Sequence, residues 1–190
     1  YDIYNHDKIL EAVQNALPAD KKGMARYVAN VFEDTMINPR CHEFRGDFGG
    51  MVLFWDNEGL SGKERGQKAF TPFYEAFVKL NMHLFGDDAD RSLLKRNYGS
   101  DKKIDGAVKK VVEDLNLPEN IKDTSKLFDR TQWAVMAGTF ARDLAELLDV
   151  SPTERTSAYS SGGGGSEGQK PEAGNGIGQK MGTREGKEEV

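Results

Sequence analysis

Residues 40–74 have the sequence RCHEFRGDFGGMVLFWDNEGLSGKERGQKAFTPFY and separate two groups of helical segments. This stretch contains five of the ten Phe, one of the two Trp and the single Cys. Large aromatic side chains gain most from burial, and glycines permit backbone angles that other residues avoid. We therefore expect an irregular, aromatic and glycine-rich connector over residues 40–70, anchored to a helical core.

Two helices are predicted before the connector. Apolar residues recur at helical spacing over residues 6–17, and Pro18 follows the end of that segment. A second helix is expected to begin after Asp20 as its N-cap. It should end at Asn38–Pro39, because the residue before a proline is driven out of helical geometry.

Further helices are predicted after the connector. Thr71 and Pro72 form a typical N-cap and first helical position, and Gly86 is a candidate C-cap for the same helix. Two more helices and a short helical turn follow, over residues 88–98, 101–117 and 121–128 respectively.

The last predicted helix, residues 131–148, is apolar on nearly all sides. Such a helix lies at the centre of a core or is covered by a partner. Its small residues recur at steps of three and four, which permits close approach of another helix backbone. These small residues are Ala134, Gly138, Ala141 and Ala145.

The fold class is accordingly mainly α, a compact bundle of about six helices over residues 1–150. Residues 151–190 form a second region rich in Gly, Ser, Glu and Lys, with few large apolar side chains. Such a segment cannot bury enough apolar surface to offset the entropy of ordering it, so we expect a disordered, flexible tail. Its SGGGGS run at 161–166 fits either a natural tail or a linker joined to a grafted peptide.

Composition excludes several classes of protein. Charged residues make up 30% of the chain, the net charge is -5, and no apolar run approaches the length of a membrane span. A single Cys excludes an internal disulfide and a zinc site with several thiolates. We expect no membrane, no cofactor and no metal site, and an intracellular (cytoplasmic) location or one within a viral or other macromolecular assembly.

The leading hypothesis is a non-enzymatic structural or interaction protein. It would self-assemble into a homo-oligomer, or dock a protein partner, through residues 40–74 and the helix faces. An aromatic side chain would fill a neighbour's pocket while a nearby charge fixes the register. The candidate partner-binding residues are Arg45, Asp47, Phe48, Phe54 and Trp55.

A first alternative is a capsid- or nucleoprotein-like subunit that binds single-stranded nucleic acid. Cations along a groove would bind phosphates, and the binding would weaken with salt. The candidate residues are Arg40, Arg45, Lys63, Arg65 and Lys68.

A second alternative is a small enzyme that uses Cys41 and His42. A cysteine nucleophile requires a base within hydrogen-bond distance, and the fold usually supplies that base from elsewhere in the sequence. Because a buried Cys beside a surface His is the more ordinary arrangement, we assign no catalytic residue.

Overall fold

The computed structural model describes residues 3–45, 52–53, 55–57 and 71–149. These residues are mainly helical and include no β-strand, which confirms the predicted fold class. The tail and most of the connector lie outside the described residues. The six long helices are α1 (Ile3–Ala16), α2 (Ala25–Arg45), α3 (Pro72–Phe85), α4 (Asp88–Tyr98), α5 (Lys102–Asp114) and α6 (Trp133–Leu144). Short 3₁₀ helices occupy Ala19–Met24, Thr124–Phe128 and Ala145–Leu147, and residues 52–53 and 55–57 are also helical.

Helix α6 lies at the centre of the core and packs against α1, α2 and α5. The ring of Phe140 is fully buried and lies 5.6 Å from the ring of Phe32. At Gly138 the helix meets α1 closely, since a Cβ added there would lie 3.5 Å from the carbonyl oxygen of Ala12. The predicted close approach of another backbone is thus confirmed, and the neighbour is a helix of the same chain.

Helix α3 begins and ends where the sequence indicates. The Thr71 hydroxyl accepts a hydrogen bond from the Tyr74 N–H at 3.3 Å, and Pro72 fills the first helical position. At the other end the Gly86 N–H donates to the Met82 carbonyl at 3.0 Å. Phe73 is fully buried, with its ring 6.3 Å from that of Phe140, so α3 is fixed against α6.

Helices α4 and α5 are also delimited by local chemistry. Asp87 and Asp90 form a capping box at the start of α4, and Gly99 ends it with a φ of 66°. This positive φ is one that glycine adopts without strain. The Asp101 side chain accepts hydrogen bonds from two backbone N–H groups of the first turn of α5.

The predicted limits of α2 are wrong at both ends. The residues around Asp20 form a 3₁₀ helix without a side-chain cap, and α2 itself begins at Ala25. Pro39 lies inside α2, which continues to Arg45. Proline removes one backbone hydrogen bond, but tertiary contacts hold the residues that follow it.

Two of these contacts are visible beyond Pro39. The His42 ring stacks on the Phe85 ring at 5.1 Å, and the Thr124 hydroxyl donates a hydrogen bond to the Glu43 carboxylate. Packing of the last turns of α2 against α3 and the 3₁₀ helix at Thr124–Phe128 therefore outweighs the local preference of the Asn38–Pro39 pair.

The two helical glycines Gly138 and Gly106 provide a matched test of the α1–α6 contact. Gly138→Leu should lower the free energy of unfolding by about 1–3 kcal/mol, because a larger side chain must displace α1. Gly106 has no atom within 4 Å of an added Cβ, so Gly106→Leu should instead stabilise the protein by about 0.5–1 kcal/mol through helix propensity. Urea unfolding measures both, and equal effects of the two substitutions would contradict the packing described.

Candidate docking site

Trp55 attaches the connector to the helical core. Its side chain is 0% exposed, and its ring lies edge-on to that of Phe77 with centroids 6.0 Å apart. Its carbonyl oxygen accepts a hydrogen bond from the Tyr98 hydroxyl at 2.5 Å. The connector is therefore held at this point by α3 and by the end of α4.

The burial of Trp55 changes the expectation for this residue. An anchor for a neighbour must be exposed in the free protein, whereas this indole lies in the core of its own chain. The large apolar side chain exposed at this point is instead Leu53, two residues earlier, at 57%. Val52, next to it, is buried.

A cleft with a volume of about 270 Å³ lies between α3 and α4, and Tyr98 forms part of its lining. The apolar side chains that line it, Val78, Met82 and Leu94, are at most 6% exposed. Helix α4 contributes four residues to the lining, Arg91, Leu94, Lys95 and Tyr98. They share one face of the helix because they are spaced by three and four residues. The arrangement provides an apolar floor with a charged rim.

Most charges on the rim already have partners. The Arg91 guanidinium donates to the Met82 carbonyl at 3.2 Å and to the Asn120 side chain at 2.7 Å, and lies 3.3 Å from the Glu119 carboxylate. Lys95, in contrast, is exposed, and no carboxylate of the described residues forms an ion pair with it. Its charge is therefore available at the edge of the cleft.

Lys79 joins the wall of the cleft to α5. Its ammonium lies 2.6 Å from Asp105 and 3.1 Å from Glu75, and Ser100 donates a hydrogen bond to Asp105 at 2.9 Å. Burial alone would lower the pKa of Lys79, but the two carboxylates outweigh it and raise that pKa. Burial alone would raise the pKa of Asp105, but hydrogen bonds from Lys79 and Ser100 hold it below its ordinary value of 3.8.

The expected environments of Cys41 and His42, a buried thiol beside a surface imidazole, are wrong. Cys41 is exposed on α2, whereas the His42 ring is half-buried and stacked on Phe85. The other two histidines lie elsewhere, His6 beside Glu33 at 2.9 Å and His83 beside the Leu117 carbonyl at 3.2 Å. Within the described ranges, no three His, Cys, Asp or Glu side chains cluster closely enough to hold a metal ion.

The remaining predicted site residues are placed only in part. Arg40 is exposed on α2, and Arg45 is the last residue of that helix. Of the candidate nucleic-acid and partner-binding residues, the structure describes Arg40, Arg45 and Trp55, so their predicted grouping stays a prediction. Asp47, Phe48, Phe54, Lys63, Arg65 and Lys68 lie outside the described residues.

Sequence reasoning did not identify the cleft or Leu53. The available sequence signal for the cleft was a set of residues whose spacing puts them on one face of α4, namely Arg91, Leu94, Lys95 and Tyr98. That spacing does not show that α3 forms the opposite wall. Leu53 and Trp55 lie in one short apolar run, whose period does not separate the exposed side chain from the buried one.

Compared with known proteins, the chain matches no protein-family model, no curated protein and no solved structure. In the part of the chain that the structure describes, no helix has both the length and the apolar character needed to cross a bilayer.

The burial of Trp55 predicts a large loss of stability on truncation. Trp55→Ala should lower the free energy of unfolding by about 3–5 kcal/mol. Trp55→Phe should cost clearly less, since it keeps a ring and removes an indole N–H that has no hydrogen-bond partner in the described structure. Val135→Ala, at a side chain 70% exposed, is the control and should change stability by less than about 0.5 kcal/mol. Chemical unfolding followed by circular dichroism measures all three, and a small Trp55→Ala effect would contradict this anchor.

The Lys79–Asp105 contact predicts a pH-dependent effect. Because the folded-state pKa of Asp105 is depressed, its stabilising contribution is present above pH 3.8 and is lost as the pH falls further. The raised pKa of Lys79 maintains its contribution below 10.5 and removes it at higher pH. Asp105→Asn should thus destabilise the protein at pH 7, by no more than about 1 kcal/mol for this partly exposed pair.

This effect should shrink progressively as the pH falls below about 4, and it should also be smaller in a Lys79→Met background. Urea unfolding of the four variants of this double-mutant cycle at several pH values provides the measurement. An Asp105→Asn effect of constant size across the acid range would show that the ion pair does not contribute.

Proposed function

We propose that the chain is a non-enzymatic helical protein that acts by docking onto protein surfaces, in the first place those of its own copies. The observation that carries this proposal is the attachment of the connector beside an apolar cleft. Trp55 is buried against α3 and bonded to Tyr98, which itself lines the cleft. A rigid scaffold thereby positions this part of the connector, as is common for binding segments.

The composition of the cleft supports a protein ligand. The core of a protein interface is depleted in charge and surrounded by a polar rim. Val78, Met82 and Leu94 supply an apolar centre here, and Lys95 and Arg91 lie at the edge. A partner that buries an apolar side chain in this centre would gain about 1.5–3 kcal/mol from it before the costs of association.

Two observations favour docking over the alternatives. The His42 ring is used in packing on Phe85, so it is oriented by a structural contact. Lys79 and Arg91, which line the cleft, lie within ion-pair distance of carboxylates of the same chain, and this leaves less positive charge for phosphate groups. Nucleic-acid binding through Arg40, Arg45, Lys63, Arg65 and Lys68 remains the alternative proposal.

Particle mass in solution tests the proposal. Light scattering of the full chain over micromolar concentrations should give a mass of at least two 21.1 kDa chains at the upper end. Because the contact is between proteins, nuclease treatment should leave that mass unchanged. A strict monomer that also retains no protein partner in a pull-down would refute docking. A mass that falls on nuclease treatment, together with salt-dependent binding of single strands, would favour the nucleoprotein alternative.

A further inference from the structure

We propose that two copies of the chain form a symmetric dimer in which Leu53 of each copy fills the α3–α4 cleft of the other. This inference rests on the proposed function and specifies the occupant of the cleft. Its two components, an exposed apolar side chain and an apolar cleft, are both among the described residues.

Leu53 is presented from a turn that is itself attached to the core. Val52 is 2% exposed and Trp55 is 0% exposed, whereas Leu53 between them is 57% exposed. The burial of its neighbours limits the freedom of the Leu53 backbone, so little conformational entropy remains to be lost when a partner binds.

The exposed leucine and the cleft lie close together on the same molecule. Leu53 is two residues from Trp55, whose carbonyl is bonded to Tyr98 on the lining of the cleft. In an isologous dimer, a group on one copy contacts its complement on the other and the reverse contact occurs simultaneously. Leu53 projects beside the cleft, and this arrangement satisfies that requirement. A two-fold axis that passes between Leu53 and the cleft places the Leu53 of each copy over the cleft of the other.

Charge complementarity supports the same arrangement. Asp56 follows Leu53 by three residues and places a carboxylate on the same short segment of the connector. Lys95 is exposed on the rim of the cleft and has no ion-pair partner among the described residues. When Leu53 enters the neighbour's cleft, Asp56 comes to the rim that carries Lys95, and opposite charges meet there.

Sedimentation velocity of the full chain, with matched leucine and valine variants, tests the dimer. Leu53→Lys removes the apolar contact at both symmetric sites, so the dimer dissociation constant should rise at least a hundredfold, about tenfold per buried leucine. Val135→Lys places the same charge at the other large apolar side chain that is exposed among the described residues, at 70% on α6. It should leave the dissociation constant unchanged. Thermal unfolding verifies that both variants remain folded.

A charge exchange tests the register. Asp56→Lys and Lys95→Asp should each weaken the dimer severalfold, and the double variant should recover most of the wild-type affinity. If wild-type association is equally insensitive to Leu53→Lys and Val135→Lys, this inference fails while the proposed docking function stands. If both variants weaken association equally, or the double variant restores nothing, the assigned contact is likewise refuted. A wild-type chain that remains monomeric refutes the dimer and the self-docking part of the proposed function together.

Discussion

The aromatic contacts of Phe140 fix the positions on which the candidate site depends. The Phe140 ring contacts Phe32 on α2 at 5.6 Å and Phe73 on α3 at 6.3 Å, both edge-on. Such contacts prefer a narrow range of geometries, so they orient helices as well as bury apolar area. Because α3 is held in this way, Phe77 is available to receive the Trp55 ring. The wall of the cleft and the attachment of the connector are thus consequences of one core.

The polar contacts around α3 complete this arrangement. Burying the Lys79 ammonium would be costly if it were unpaired, and the Glu75 and Asp105 carboxylates offset that cost. Asp105 also belongs to α5, so the same contact holds α5 against the wall of the cleft. The Asn38 side-chain amide donates a hydrogen bond of 2.9 Å to the Asn81 side chain, which joins α2 to α3 next to Pro39. These partly buried polar contacts join α3 to α5 and to α2.

The features that were predictable from sequence are those determined by local chemistry. Thr71 and Gly86 act at the two ends of α3 through one or two backbone groups, and such effects are visible in a short window. Pro39 shows the limit of this reasoning, because contacts made by His42 and Glu43 with distant residues overcome a strong local preference.

The cleft was not predictable for the same reason, since its two walls come from separate helices. The pattern of an aromatic run likewise cannot distinguish a residue that packs in its own core from one that packs in a neighbour. Trp55 is the example, since the structure places it among the core residues of its own chain.

A single exposed apolar side chain is ordinary on protein surfaces and requires no special explanation. Leu53 and Val135 are similar by that criterion, since both are more than half exposed. The two residues differ in their surroundings. Leu53 is two residues from Trp55, whose carbonyl accepts a hydrogen bond from Tyr98 on the lining of the apolar cleft. A side chain that fits the cleft would add dispersion contacts with its apolar floor. Because the same small region supplies the exposed leucine and the recess, the proposed association of two copies would bury both at once.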